Sequence, residues 1–453
     1  MHLIRPRNLL IVLTVLLFTG LQYCRTPILA DDGRLALPKS DEGLPGHGPI
    51  RRYDWFTRLW EQRRTEFAAR CEREQNAVVF LGDSITQGWG DNLSSAFPGL
   101  TVANRGISGD TTRGMLLRLK QDVIDVNPQA VVLLMGTNDL EEGAAPDVIA
   151  GNLKLILQGL HEHRKDLPVI LCNVFPSSAS KKRPADSIQQ INRLYAEAVR
   201  GDSRVTVVDT WTLFANSSGD AKPEEFPDLL HPNKAGYDKW AAALTPVLAT
   251  LGLIENDVEP FTPDDGFTSL FNGHDLTGWC FRPTTEAMLK ARERWHSRDP
   301  NAPPWPVVTE QVNFEGVTAS PDGRYVARNG RLIVTTPAEG RRIQQLWTTK
   351  EFGSDFVLRL QFRATPNADS GVFVRDPQLQ CRDYILAGPY KELKTYRPQQ
   401  WNDLEVVVTG NVARCTCNGE LLEAEFKVPE TGPIGLEGDR GQMEYRHIQI
   451  QVQ

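Results

Sequence analysis

The feature that most constrains this chain is a run of short apolar segments, each followed by an amphipathic stretch, through its first 250 residues. The apolar segments are 77–81, 100–103, 130–135, 169–174 and 205–208. Helix-like stretches lie near 112–125, 146–163, 185–200 and 234–250. Another precedes the first segment, where Trp55, Phe56, Leu59, Trp60, Phe67 and Cys71 recur at helical spacing. A segment such as Val131-Val132-Leu133-Leu134 shows no polar alternation, so its strand must be buried on both faces. Strand, helix, strand, repeated, predicts a parallel sheet covered on both sides by helices.

The pattern changes near residue 255. Residues 255–264 are acidic and contain two Pro, and read as a linker. Beyond them strand-like runs dominate, at 331–335, 356–362, 371–374, 404–408, 413–417 and 445–452, punctuated by Asn329-Gly330, Asn418-Gly419 and Glu437-Gly438. Turn dipeptides between alternating strands predict an all-β unit, most economically a two-sheet sandwich. Residues 283–323, with Arg, Pro and Trp, interrupt it as an insertion. The expected organisation is a signal peptide at 1–30, a Gly- and Pro-rich linker at 31–50, an α/β domain at 51–254, the linker at 255–264 and the β-sandwich at 265–453.

The first 30 residues read as an export signal. Arg5 and Arg7 precede the apolar run from Leu9 to Phe18, and Ile28-Leu29-Ala30 leads into Asp31-Asp32. The run is short for a spanning helix. An uncleaved N-terminal anchor is the alternative. The expected location is therefore exported: periplasmic, cell-surface or secreted, with no stable membrane insertion once the signal is removed. The chain carries net charge −7, and its first 30 residues hold three Arg and no acid, so the remainder is more acidic still. Nucleic acid is a poor partner for such a chain. Besides Cys24 there are six Cys, at 71, 172, 280, 381, 415 and 417. An even number in an exported chain permits disulfides. Cys415 and Cys417, two apart on a strand, face one way and read as buried residues rather than half a zinc site.

The first strand ends in Gly82-Asp83-Ser84-Ile85-Thr86. A Ser at a strand-to-helix junction stands at the carboxyl edge of the sheet, where open α/β sheets place their ligands. Alone the tripeptide could equally be a turn with a helix cap. Three later blocks strengthen it: Asn104-Arg105-Gly106-Ile107-Ser108-Gly109-Asp110, Gly136-Thr137-Asn138-Asp139 and Asp228-Leu229-Leu230-His231-Pro232. A serine hydroxyl needs a base in contact to become a nucleophile. His231 can take its proton, and Asp228, three residues earlier, can hold the other imidazole N–H. The amides of Ser84 and Gly106 and the side chain of Asn138 can surround an oxyanion. Asp83 and Asp139 read as loop-fixing residues, and Asp110 with Thr111-Thr112 as a helix start.

These blocks resemble the SGNH family, also called GDSL-type esterases and lipases, over roughly residues 53–252. The family's Ser, Gly, Asn and His correspond to Ser84, Gly106, Asn138 and His231, with Asp228 in its Asp-x-x-His position. The resemblance implies a flavodoxin-like three-layer fold and ester hydrolysis without metal or other cofactor.

The second half opens with Gly266-Phe267-Thr268-Ser269-Leu270-Phe271-Asn272-Gly273-His274-Asp275-Leu276-Thr277-Gly278-Trp279. With Asp369-Ser370-Gly371-Val372-Phe373-Val374-Arg375, Trp401-Asn402, Asn418-Gly419 and Gly432-Pro433-Ile434-Gly435-Leu436, this is similar to the 3-keto-disaccharide hydrolase domain family over about 265–453. That resemblance implies a concanavalin-like jelly-roll sandwich acting on sugars. Where the family commonly has a Tyr-Glu pair, this chain reads Arg382-Asp383-Tyr384, so no catalytic residue is carried over. Asp369 and Arg375 are the polar groups expected in a groove. Five Trp (279, 295, 305, 347, 401) offer faces for sugar C–H surfaces or for a core.

The combined expectation is an exported serine esterase that removes acyl groups, acetyl foremost, from carbohydrate or a related small ester, aided by a glycan-binding or glycan-processing sandwich. Two rivals are a glycan-binding protein with a vestigial first domain and a 3-keto-glycoside hydrolase whose main activity lies in the sandwich.

Overall fold

The computed structural model describes residues 34–90, 92–254, 260–300, 305–335 and 344–453. The signal segment 1–30 lies outside the described residues. Five parallel strands form the first sheet: β1 (Val78–Gly82), β2 (Val102–Gly106), β3 (Ala130–Leu134), β4 (Val169–Cys172) and β5 (Val205–Val208). Their order is β2-β1-β3-β4-β5. This is the flavodoxin-like arrangement, with its switch point between β1 and β3. The described helices of this half are α1 (Asp54–Arg70), α2 (Ser84–Trp89), α3 (Asn92–Ala96), α4 (Thr112–Asp122), α5 (Thr137–Glu141), α6 (Pro146–His163), α7 (Ala185–Ala198), α8 (Thr210–Phe214) and α9 (Lys234–Thr250).

Alternation within each strand sorts side chains to two cores. Val79, Leu81, Val131 and Leu133 pack with Met115 and Leu119 of α4, Leu153 and Ile156 of α6 and Ile188 and Ile191 of α7. Val78, Phe80, Val132 and Leu134 pack instead with Ile85 and Trp89 of α2 and Trp240 and Leu244 of α9. Trp89 and Trp240 stack at 4.6 Å, joining the helix that carries Ser84 to the one that follows His231.

Residues 34–50, expected as a linker, are instead a strap on the α/β domain. Leu37 and Ile50 are buried against Phe56, Trp60 and Ile107. Arg113 reaches Pro45 O, Gly48 O and Asp41 in the strap. Apolar side chains spaced among Gly and Pro gave no periodicity by which to see this.

The second half contains two antiparallel sheets. One runs in the order 420–427, 412–417, 402–409, 356–364, 443–452, 331–334, 325–328, with 268–269 also pairing to 443–452; the other runs 378–380, 369–374, 434–440, 346–348, 279–281, 312–313. One apolar core fills the space between them, including Trp279, Leu358, Phe362, Val372, Leu436 and Tyr445. The insertion holds the exposed helix α10 (Glu286–Arg298). The six described cysteines are buried and form no disulfide with one another, so the bridges allowed by the even count do not form among them. Cys415 and Cys417 are both buried in the sandwich core, as their spacing implied. The halves touch where Asn367 donates to Asp209 (2.7 Å), Gln442 to Pro246 O and Thr250, and Arg328 to Thr250 O.

Candidate active site

Four loops at the carboxyl edge of the parallel sheet meet around Ser84. Asp83 ends the first strand and caps α2, its Oδ1 accepting the Ile85 N–H at 2.9 Å, which sets Ser84 at the first helical position. The Ser84 N–H is there left without an intrahelical partner. His231 comes from the turn before α9, which Asn233 caps. Its Nε2 lies 2.9 Å from Ser84 Oγ, and its Nδ1 lies 2.7 Å from Asp228 Oδ2. Asp228 Oδ1 accepts the backbone N–H groups of Leu230 and His231. Leu229 adopts φ +62°, which folds the turn so that carboxylate and imidazole meet. Burial alone would raise the Asp228 carboxyl, but the His231 backbone N–H, its imidazole and the Leu230 N–H prevail and pull it to about 2.

Asn138 is buried at the start of α5. Its Nδ2 donates to Asp110 O (2.9 Å), leaving one N–H for the cleft, while its Oδ1 accepts from Arg183 (3.1 Å). Arg183 also reaches Thr137 O, Thr137 Oγ1, Glu141 and Lys181 O, so one buried guanidinium holds the Asn138 loop to the loop after β4.

Gly106 does not join the site. Its N–H is given to Asn104 Oδ1 (2.9 Å), and it does not line the cleft. A Cβ there would fall 2.1 Å from Gln87 N, so glycine is required for β2 to pass beneath α2. The cleft wall is formed instead by Ser108 and Gly109, three residues further on. Ser108 N–H is taken by Gln87 Oε1, whereas the Gly109 N–H has no partner among the described residues. Gly109 has φ +86°, a backbone that favours glycine, and its Cα packs under the Trp55 ring. Residues 104–110 contain both glycines, and only their three-dimensional setting separates them.

The cleft encloses about 500 Å³ and is lined by Ser84, Asn138, His231, Trp55, Leu230 and a group of charged side chains. Beneath it lie three fully buried carboxylates, Asp83, Asp110 and Asp139, which burial pushes up to about 6, 7 and 6. Arg118 pairs Asp110 at 2.7 Å, and Asp139 accepts from the Thr112 N–H and hydroxyl. They brace loops, as expected of Asp83 and Asp139. Thr111 caps α4, the helix start read from Asp110-Thr111-Thr112.

Residues 80–239 match the GDSL-like Lipase/Acylhydrolase family. The first domain is a GDSL-like acylhydrolase. Residues 266–451 match the 3-keto-alpha-glucoside-1,2-lyase-like domain, so the chain is a fusion of the two. The acylhydrolase half is 28% identical over 195 residues to human platelet-activating factor acetylhydrolase IB subunit alpha1, covering 42% of this chain and 84% of that protein. It is 27% identical over 224 residues to the alpha2 subunit from Bos taurus, covering 49% and 93%. Among solved structures it is similar to a GDSL-like lipase from Bacteroides thetaiotaomicron, 28% identical, covering 41% of this chain and 97% of that one with a TM-score of 0.37.

Beside the acylhydrolase, the lyase-like domain offers a second candidate site on the outer face of its six-stranded sheet. Glu437 is nearly buried there and accepts from Gln345 (2.9 Å) and Gln378 (2.8 Å). Trp347 lies on Gly435, where a Cβ would fall 2.5 Å from the ring, and contacts Phe373 at 5.1 Å. Two amide oxygens on this face, of Gln345 and Gln380, lack a donor among the described residues. Asp369 pairs with Arg382 (3.0 Å). Arg375, expected in a groove, is instead buried and donates to the carbonyls of Phe352, Ser354, Gly410 and Pro429. It ties these loops together. Trp279 is core, and Trp401 lies between Arg363 and Arg446.

Proposed function

We propose that this chain is an exported serine esterase that removes short acyl groups, acetyl above all, from carbohydrate. The observation that carries it is the line Asp228–His231–Ser84, with both contacts at hydrogen-bond distance. Ser84 Oγ attacks the ester carbonyl carbon as its proton passes to His231 Nε2; Asp228 holds Nδ1–H and stabilises the imidazolium. The tetrahedral oxyanion receives the N–H groups of Ser84 and Gly109 and the free Nδ2–H of Asn138. Collapse breaks the bond to the sugar oxygen, which leaves with the proton from His231. Water, deprotonated by His231, then attacks the acyl-enzyme; the carboxylic acid departs and Ser84 regains its proton.

Short acyl groups fit because Trp55 and Leu230 are the large apolar side chains of the cleft lining, too few to bury a long chain. Carbohydrate is favoured by the fused lyase-like domain and by Trp55, which is about half exposed at the cleft. The purified chain hydrolyses p-nitrophenyl acetate in this reading, and Ser84→Ala lowers kcat by at least 1000-fold; equal rates in the two proteins would exclude it.

A second reading places a separate sugar-processing site at Glu437, favoured by the carboxylate set between two amides beside Trp347. Glu437→Gln then abolishes conversion of 3-keto-glucosides and leaves p-nitrophenyl acetate turnover unaltered. No conversion by the unmodified chain removes it.

A further inference from the structure

The charges lining the esterase cleft do not cancel. Arg51, Lys181, Lys182 and Arg183 face it, against Glu141 and Asp228. Arg51 is paired with Glu141 and Glu142 and Arg183 with Glu141, while Asp228 is hydrogen-bonded to the His231 base and keeps its charge, so four cations stand against three carboxylates. Lys181 and Lys182 make no ion pair among the described residues. In a chain of net charge −7, two such ammonium groups at a reactive centre form a local positive field against the overall repulsion of anions.

The loop that carries them is fixed rather than frayed. Ser178 O accepts the backbone N–H groups of both Lys181 and Arg183, closing a short helical turn. Buried Arg183 anchors the next position to Thr137, Asn138 and Glu141. Lys182 sits at φ +59°, where a non-glycine backbone costs on the order of 1 kcal/mol, yet the residue held there is a lysine. Trp55 lines the same cleft, lies against Gly109 and stacks on exposed Tyr53 at 6.4 Å. The cleft therefore pairs an aromatic shelf with two cations beside the nucleophile.

We infer that the substrate is an acylated carbohydrate bearing an anionic group, a carboxylate, sulfate or phosphate near the acyl ester, which Lys181 and Lys182 receive while the sugar ring lies on Trp55. This rests on the serine-esterase reading above, and it narrows the substrate from any acylated sugar to a charged one.

The test compares O-acetylated methyl glucuronide with O-acetylated methyl glucoside, by acetate release from the full chain at low salt. The glucuronide is expected to have kcat/KM about five- to tenfold higher, mainly through KM, since two exposed ion pairs each supply a small factor. The ratio should fall toward one near 1 M salt, where screening acts within ~3 Å. It should fall likewise in Lys181→Gln/Lys182→Gln, reverse in Lys181→Glu/Lys182→Glu and survive in Lys181→Arg/Lys182→Arg. Sulfated and phosphorylated acetyl-glycosides in the same assay identify the preferred anion. Equal values for the charged and neutral sugars, or a preference that persists in the Gln variant, would overturn the inference. Binding of the intact glucuronide to Ser84→Ala by calorimetry, against the same protein with both Lys changed to Gln, reads the anion site without turnover. Failure of p-nitrophenyl acetate hydrolysis would count against the esterase reading alone.

Discussion

Changing Asp83 to Asn separates the cap that this side chain supplies from the charge it carries. Asp83 is fully buried; Oδ1 accepts the Ile85 N–H and Oδ2 has no donor among the described residues. Burial raises its carboxyl from 3.8 to about 6, against the opposing pull of the Ile85 N–H and of His231. An acid raised in the folded state binds its proton more tightly there than in the unfolded chain. Its contribution to stability is therefore greatest below pH 3.8 and is lost as pH climbs through about 6. Two units of displacement at about 1.4 kcal/mol each make an ionised Asp83 about 3 kcal/mol unfavourable at neutral pH. Asn keeps the acceptor for the cap and brings no charge, though its amide donor is also unmatched, which lowers the gain to about 1–3 kcal/mol. Asp83→Asn should thus be the more stable protein at pH 7.5 and lose that advantage at pH 4.5. Hydrogen exchange of peptides covering β1 and β3, followed through urea titrations of the full chain, reads this domain alone. Asp110 and Asp139 titrate in both proteins, so the difference between them is the readout. A difference that does not change with pH would refute the reasoning.

Gly109→Ala should lower kcat for p-nitrophenyl acetate about 100-fold by displacing an oxyanion donor, with a modest loss of stability of about 1 kcal/mol from its positive φ and the close Trp55 ring. Gly106→Ala should instead destabilise the domain, because its Cβ meets Gln87 backbone at 2.1 Å; melting curves and kinetics showing the reverse pattern would sink the Gly109 assignment. Asp228→Asn should cost on the order of 10,000-fold in kcat by releasing the imidazole tautomer, and retention of a tenth of the activity would mean that His231 works without it. Arg375→Met should lower the stability of the sandwich by about 1.5–3 kcal/mol, since one buried and three partly buried bonds to carbonyls lose a charged donor, while acetyl ester turnover stays within twofold.

The parallel sheet was legible because strands buried on both faces leave unbroken apolar runs; β5 and α9 match the expected 205–208 and 234–250 outright. The longer sandwich strands were visible through period-two alternation, as in 356–364. Two- and three-residue strands such as 346–348 are too short to show a period, and α10 presents no buried face to pattern it. At the site, Ser84, His231 and Asp228 stand together because the chemistry demands those residue types near one another. The error at Gly106 has a physical source: a glycine needed for a strand to slip under a helix looks the same in sequence as one whose amide faces a cleft. Arg183 and the two lysines carried no motif. Their meaning comes from what the fold sets opposite them.

The strap at 34–50 bears on how this protein can be dissected. Helix α1 begins at Asp54, and a fragment trimmed to that point would seem to hold every catalytic group. It would also strip Leu37 and Ile50 from over Phe56 and Trp60, and take away the carbonyls that receive Arg113 two positions into the helix behind Gly109 and Asp110. Such a fragment lacks part of its own interior, next to the very loop that faces the reacting ester, and a dead preparation of it would say nothing about the chemistry of the whole.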